Sequence, residues 1–327
     1  MRSARISALA AALSLFVSAA IAASWPAGLP VYDHIVIVVE ENKGYEQIFP
    51  ATPNPDVAFL NGLAADGALF TSMFGEEHNS EGNYFWLFSG SNHGVGHNDV
   101  VPTKFFRTNN LAHTLLGRRL SFKGYAEDLP AIGSLVDVLP PGCTDNCIYG
   151  RKHVPWISFS NVPNGNTVAT SSNLRFADFP TDYTRLPTVA FVIPNLMNDM
   201  HSGDPNTQIR RGDAWLRDHL RDYYLWARDH NSLLIVTFDE SGNGDEYMHL
   251  TDPRSDNPVI RNRVATIFAG ARIKSGHYAE GAGINHVSIL RTIEAMYGLR
   301  KSGVQQRYAA AAGITDRFII TDVFTPK

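Results

Sequence analysis

Hydrophobic positions along the chain fall into two rhythms. His34–Glu40 (HIVIVVE) and Ser232–Phe238 (SLLIVTF) are short, nearly unbroken, β-branched runs, and residues 188–193 (TVAFVI) and 264–268 (VATIF) repeat the pattern. Runs of this kind are expected of strands covered on both faces. Between them the period changes. Ile209, Gly212, Leu216, Leu220, Tyr223 and Ala227 keep three-to-four spacing, which predicts an amphipathic helix leading into the Ser232 strand. A second helix is predicted from Asn285, with Ile289, Ile293 and Met296 on one stripe and Gly298 as its C-terminal cap. A third runs from Ser80 through Tyr84, Leu87 and Phe88 to Ser89 and Gly90. Strands alternating with helices predict an α/β fold, a mainly parallel central sheet covered by helices on both faces. Residues 129–173, rich in Pro, Gly, Ser and Asn, read as long loops on that scaffold.

The first residues read differently. Arg2 and Arg5 precede an apolar stretch over residues 6–22 that ends in Ala20-Ile21-Ala22. These are the three regions of a secretory signal peptide, predicted over 1–22, leaving 23–327 as a single catalytic domain. Serines interrupt the stretch and it falls short of the roughly 20 apolar residues of a membrane span, so no stable membrane anchor is expected. The protein is accordingly expected in a periplasm or outside the cell. Loss of the segment lowers the formal charge from −4 to −6. A mildly acidic chain carries no basic footprint for nucleic acid. Its two cysteines, Cys143 and Cys147, stand in a loop-like run (PPGCTDNC), and in an exported protein a local disulfide is expected of them.

The predicted strands end where polar residues begin, which is where open parallel sheets gather their ligands. Glu40, Glu41 and Asn42 follow the first strand, and Asp239 and Glu240 follow the Ser232 strand. An acidic cluster can serve a helix N-terminus instead, but two doublets at two strand ends would repel each other without a cation between them. Oxygen ligands of this type suit a hard divalent ion. Ser80 begins a helix, where a serine ordinarily acts as a cap. Beside His78, Asn79, Asn83 and those carboxylates it becomes a candidate nucleophile toward phosphorus, since a helix N-terminus stabilises an anion. His201, in PNLMNDMHSGD, and His286, in INHVSILRTIE, stand at element ends, where they could bind a metal or phosphate oxygens.

Six segments in order, HIVIVVEENKGYEQI, HNSEGNYFWLFSGSNHGV, YGRKHVPWISF, PNLMNDMHSGD, LLIVTFDESGNGD and NHVSILRTIEAMYGL, resemble the bacterial and fungal phosphoesterases. That family includes acid phosphatases and phospholipases C and lies within the alkaline-phosphatase-like superfamily. The resemblance implies metal ligands at Glu41, Asn42, Ser80, Asp239 and Glu240, and a nucleophile at Ser80. It further implies a phosphoryl-oxygen donor at Asn83 and site histidines at His153, His201 and His286, any of which could protonate a leaving group. Two positions depart from the family pattern. Gly82 stands where proline is common, and should loosen the turn without removing a ligand; Glu240 stands where many superfamily members use histidine. The implied activity is hydrolysis of a small phosphorylated substrate, with one or more divalent metal ions, through a phosphoserine. The chain length favours an acid-phosphatase-type phosphomonoesterase over a phospholipase C or other phosphodiesterase. An exported protein that binds divalent ions without turnover is the alternative from outside the enzymes.

Overall fold

The computed structural model describes residues 25–78, 80–95, 101–144, 146–242, 262–278, 283–303 and 318–325. The predicted signal peptide lies outside them. In chain order the elements are β1 (His34–Glu40), α1 (Tyr45–Ile48), α2 (Ala58–Asp66), β2 (Ala68–Phe74), α3 (Ser80–Ser89), α4 (Leu111–Gly117) and β3 (Phe122–Ala126). There follow β4 (Val138–Leu139), β5 (Tyr149–Gly150), β6 (Asn173–Arg175), β7 (Val189–Ile193), α5 (Gln208–Asp229) and β8 (Ser232–Phe238). The last are β9 (Arg263–Gly270), β10 (Gly276–Tyr278), β11 (Ile284–Asn285) and α6 (His286–Met296).

The main sheet runs β10-β2-β9-β8-β1-β7-β3-β6, with β11 added to β2, and β4 and β5 form a separate small ladder. Every pairing in the main sheet is parallel except those of β9, which runs against both β2 and β8. All seven positions of β8 are buried, so neither face of the sheet centre meets water. Helices α2 and α5 pack together as one group and α3 and α6 as another. The second group meets β3 and β7 through aromatic contacts of Phe88 with Phe122 and Phe191. This is the predicted α/β architecture.

The stretch expected to be all loop contains β4, β5 and two short 3-10 turns, Arg151–His153 and Pro155–Ser158. Cys143 and Cys147 are disulfide-bonded. Among the described residues no helix is long and apolar enough to cross a membrane.

Candidate active site

Parallel pairing brings the exits of β1, β7 and β8 to one edge of the sheet, and the exit of β2 joins them because β9 runs against both β2 and β8. Glu40 is opposite Phe238 in the β1–β8 register, and beyond the strands the backbone stays tied. Asp239 N donates to Glu40 O at 3.0 Å, and Glu41 N donates to Asp199 O at 2.7 Å. Asn42 turns into the left-handed region, φ 52°, and its N–H donates to Asp239 Oδ1 at 2.9 Å. The exit of β2 is pressed against that of β8: a Cβ at Gly75 would lie 2.8 Å from Asp239 O and 2.6 Å from Asn262 Nδ2. Only glycine allows that approach.

Ser80 opens α3 and is buried. Its hydroxyl does not cap the helix; Oγ donates toward Glu41 Oε2 at 3.0 Å and Glu240 Oε1 at 3.3 Å. The two acids come from different strands, so the serine closes a gap between the two doublets. One helical turn on, Tyr84 OH donates to Glu41 Oε1 at 2.5 Å. His153 stacks on the Tyr84 ring at 4.8 Å and holds Nε2 3.2 Å from Glu41 Oε1. His78 Nδ1 lies 2.6 Å from Glu240 Oε2. Glu41, Ser80, Asp239, Glu240, Asn42 and His153 are thus brought together.

Asn83 and His286 are held by hydrogen bonds within the protein. Asn83 Oδ1 accepts from the N–H groups of Glu76 and Glu77 at 3.0 and 3.1 Å, and Nδ2 donates to Glu77 O at 2.6 Å. Its amide therefore staples the loop that delivers Ser80, leaving one amide proton at most for a ligand. Both ring nitrogens of His286 are engaged, Nδ1 with Glu76 Oε2 at 2.6 Å and Nε2 with Phe238 O at 2.8 Å. Burial disfavours its charge, but the Glu76 carboxylate outweighs burial and raises the imidazole's affinity for protons. Facing two acceptors, His286 offers no lone pair to a metal; it ties α6 to the ends of β2 and β8.

Gly82 also has a different reason from the one expected. It lies within α3, and a Cβ there would lie 2.6 Å from the carboxyl carbon of Glu77 and closer still to Oε1. That carboxylate accepts from Trp86 Nε1 at 2.8 Å and from Asn92 Nδ2 at 3.0 Å. Glycine thus makes room for a buried acid beneath the first helical turn of α3, which Ser80 opens.

The site is crowded with negative charge. Burial pushes the carboxyl groups of Glu40, Glu41, Asp199 and Asp239 upward, and neighbouring acids push Glu40, Asp199 and Asp239 further. Lys152 opposes the rise at Glu41. Burial lowers Lys43, which stands among the same acids. Asn42 Oδ1, Asp199 Oδ2 and Asp239 Oδ2 are buried without a hydrogen-bond partner among the described residues, which normally costs stability. Unpartnered oxygens beside converging carboxylates fit a hard divalent cation in donor type. Among the described residues, no three His, Cys, Asp or Glu side chains already have the geometry of a cation cage. A ligand set built here draws on Asn42 and Ser80 as well.

A cavity of about 320 Å³ adjoins this cluster, with Glu81, Lys152, His201 and the Cys143–Cys147 disulfide in its wall. His201 is held by its backbone N–H, which donates to Asp199 Oδ1 at 2.8 Å, and Nδ1 lies 2.9 Å from Ser202 Oγ. Burial, then Lys152 and Lys43, lower its pKa to about 4, so the ring facing the cavity is neutral at neutral pH. Tyr84, Glu76 and Lys152 were not singled out in the sequence. Tyr84 has the clearest signal there, four residues after Ser80 and so on the same helix face.

Residues 51–300 match the model of the Phosphoesterase family. The chain is 43% identical over 277 residues to a phosphatidylinositol-3-phosphatase of Mycobacterium tuberculosis, covering 84% of this chain and 80% of that protein. It is 27% identical over 279 residues to a phosphate-repressible acid phosphatase of Penicillium chrysogenum, covering 83% of this chain and 60% of the fungal protein. In fold it resembles a Vibrio parahaemolyticus protein of the alkaline phosphatase superfamily, with TM-score 0.52, 10% identity, and coverage of 83% of this chain and 68% of that one.

Proposed function

Since the chain belongs to the phosphoesterase family and is a phosphoester hydrolase, we propose that it is an exported, metal-dependent phosphomonoesterase whose phosphoryl acceptor is Ser80. The observation that carries this reading is the bonding of the Ser80 hydroxyl. A serine that merely capped α3 would accept from a helix N–H; this one is buried and points its proton at Glu41 and Glu240. Those acids can hold that proton as Oγ attacks. The Oγ–P bond forms as the bond from phosphorus to the leaving oxygen breaks, and water later returns the phosphoryl group from Ser80 to solution.

A divalent cation held by Glu41, Asn42, Ser80, Asp239 and Glu240 would supply positive charge against the Ser80 oxygen and a phosphoryl oxygen. The chain's own contribution is placement. Asn83 and Glu76 fix the loop before Ser80, Tyr84 orients Glu41, and the N-terminus of α3 faces the incoming anion. His201, in the cavity wall, is the histidine that a leaving oxygen there would meet. The name of the mycobacterial relative supports a phosphoinositide monoester as one substrate. Export rests on the signal-peptide pattern of residues 1–22.

Replacing Ser80 by alanine should leave the fold intact and remove most of the rate, on the order of a thousandfold or more. Acid quenching during turnover should trap phosphate on the Ser80 peptide. A chromogenic phosphomonoester should be cleaved well ahead of a phosphodiester and of phosphatidylcholine. A Ser80→Ala enzyme with parental turnover, and no phosphopeptide in the parent, would make the serine a structural residue.

A further inference from the structure

The cavity beside Ser80 has two cations in its wall, and they are committed differently. Arg151 is spent on structure: its guanidinium pairs with Asp137 and donates to Leu135 O at 2.7 Å. Lys152 has no carboxylate within ion-pair distance among the described residues. Its ammonium stands where Glu41, Asp199, His153 and His201 all feel its charge, so it lies at the boundary between the carboxylate cluster and the cavity. The lining also includes apolar groups, Val138, Leu196 and the Cys143–Cys147 disulfide. The disulfide fixes the loop that carries it, so the wall is shaped before a ligand arrives.

From this juxtaposition we propose that the cavity is the subsite for the leaving alcohol, and that Lys152 reads a second anionic group, a carboxylate or a further phosphate, carried by that alcohol. The proposal deepens the reading of Ser80 as phosphoryl acceptor and rests on it. A compact body, a ring or short polyol, fills a space of about 320 Å³. Its apolar face lies against the disulfide wall, and its anionic substituent is drawn to Lys152. Glu81 also faces the cavity, from the first turn of α3.

The test uses the full mature protein and three series of esters: phenyl phosphate, its 3- and 4-carboxylates, and its 4-trimethylammonium analogue. Expected in the parent is a kcat/KM for the better carboxylate on the order of ten- to a hundredfold above phenyl phosphate, the scale of a hydrogen bond to a charged group, with the ammonium analogue lowest. Lys152→Met should erase that ratio whatever its absolute rate, and Lys152→Arg should keep most of it. Equal kcat/KM for all three in a parent that still labels Ser80 overturns the subsite while leaving the nucleophile in place. Preference for the ammonium analogue overturns it in favour of Glu81. A Lys152→Met enzyme that slows on every ester with the ratio intact also overturns it, assigning the lysine to the transferred phosphoryl group. Absence of Ser80-dependent hydrolysis of any ester refutes the underlying reading instead.

Discussion

Gly82→Ala separates two forces of opposite sign. On helix propensity alone, alanine in the first turn of α3 should stabilise the protein by at most about 1 kcal/mol. The structure predicts the reverse, because the new Cβ would lie 2.6 Å from the Glu77 carboxyl carbon, where ordinary contact begins near 3.4 Å. The carboxyl group must retreat by about 1 Å, an overpacking that costs about 1–3 kcal/mol. In moving it loosens its bonds from Trp86 and Asn92, each worth about 0.5–1.5 kcal/mol. After the propensity gain the net loss should be about 2–4 kcal/mol, or a fall in Tm of about 3–6 °C for a chain of this size. The change also tilts the turn that carries Ser80, so kcat should fall with stability. Denaturant unfolding of Gly82→Ala, Glu77→Ala and the double variant gives the decisive comparison. With Glu77 truncated there is nothing to collide with, and Gly82→Ala should become neutral or stabilising. If the substitution has the same sign and size in both backgrounds, the close approach is not what glycine serves.

Two further predictions follow from the charge in the site and its surroundings. Dialysis against a chelator should abolish activity and lower Tm, divalent ions should restore both, and Asp239→Asn should lose bound metal and rate together; full activity with no metal by elemental analysis would refute the cation. Stability should depend on pH through two opposed groups. Glu77 is raised by burial from 4.5 to about 7, so the folded state keeps a proton that the unfolded chain releases, and its contribution falls as pH rises between those values. His93 is lowered by burial from 6.5 to about 4, so its contribution rises over an overlapping window; each is worth about 3 kcal/mol. Relative to the parent, Glu77→Gln should therefore gain stability as pH rises from 4.5 to 6.5, and His93→Gln should lose it. Denaturation midpoints that move in parallel with the parent's for both variants would refute the pair.

The strands buried on both faces were the legible ones. β1 beyond His34 and β8 are nearly continuous apolar runs because both are buried, whereas β2 carries Thr71 and Ser72 and an irregular register between Phe70 and Met73 that breaks the pattern. β3 includes Lys123 and Gly124, and the glycine exists to admit the Trp156 indole, a partner far away in sequence. The site divides in the same way. Glu41, Ser80 and Glu240 could be read because strand ends and helix starts are local signals that parallel pairing then gathers at one edge. Asn83 and His286 reach the same region, but their hydrogen bonds run to the protein itself. Which way each side chain faces is set by Glu76 and its neighbours, and Glu76 lies 210 residues from His286. Lys152 carries no pattern of its own; the cavity that gives it meaning comes from segments that meet only in the folded chain.

The single reversed strand, β9, has a consequence for how such a protein can change over generations. A parallel strand enters from the far side of the sheet, but β9 enters at the rim that carries Glu40 and Asp239, so the chain leaves β8 and comes back at nearly the same point. Asn262 clasps the two ends: its side chain accepts from Ser241 N at 2.8 Å and donates to Glu77 O at 2.9 Å. Ser241 and Asn262 are therefore fastened together beside the loop that carries Ser80. Doubling a connection whose two ends are held in this way costs only about 0.6 kcal/mol in closure entropy and leaves the pairing of the strands it joins unchanged. New surface can thus be acquired at the rim while the strands and the serine stay where they are.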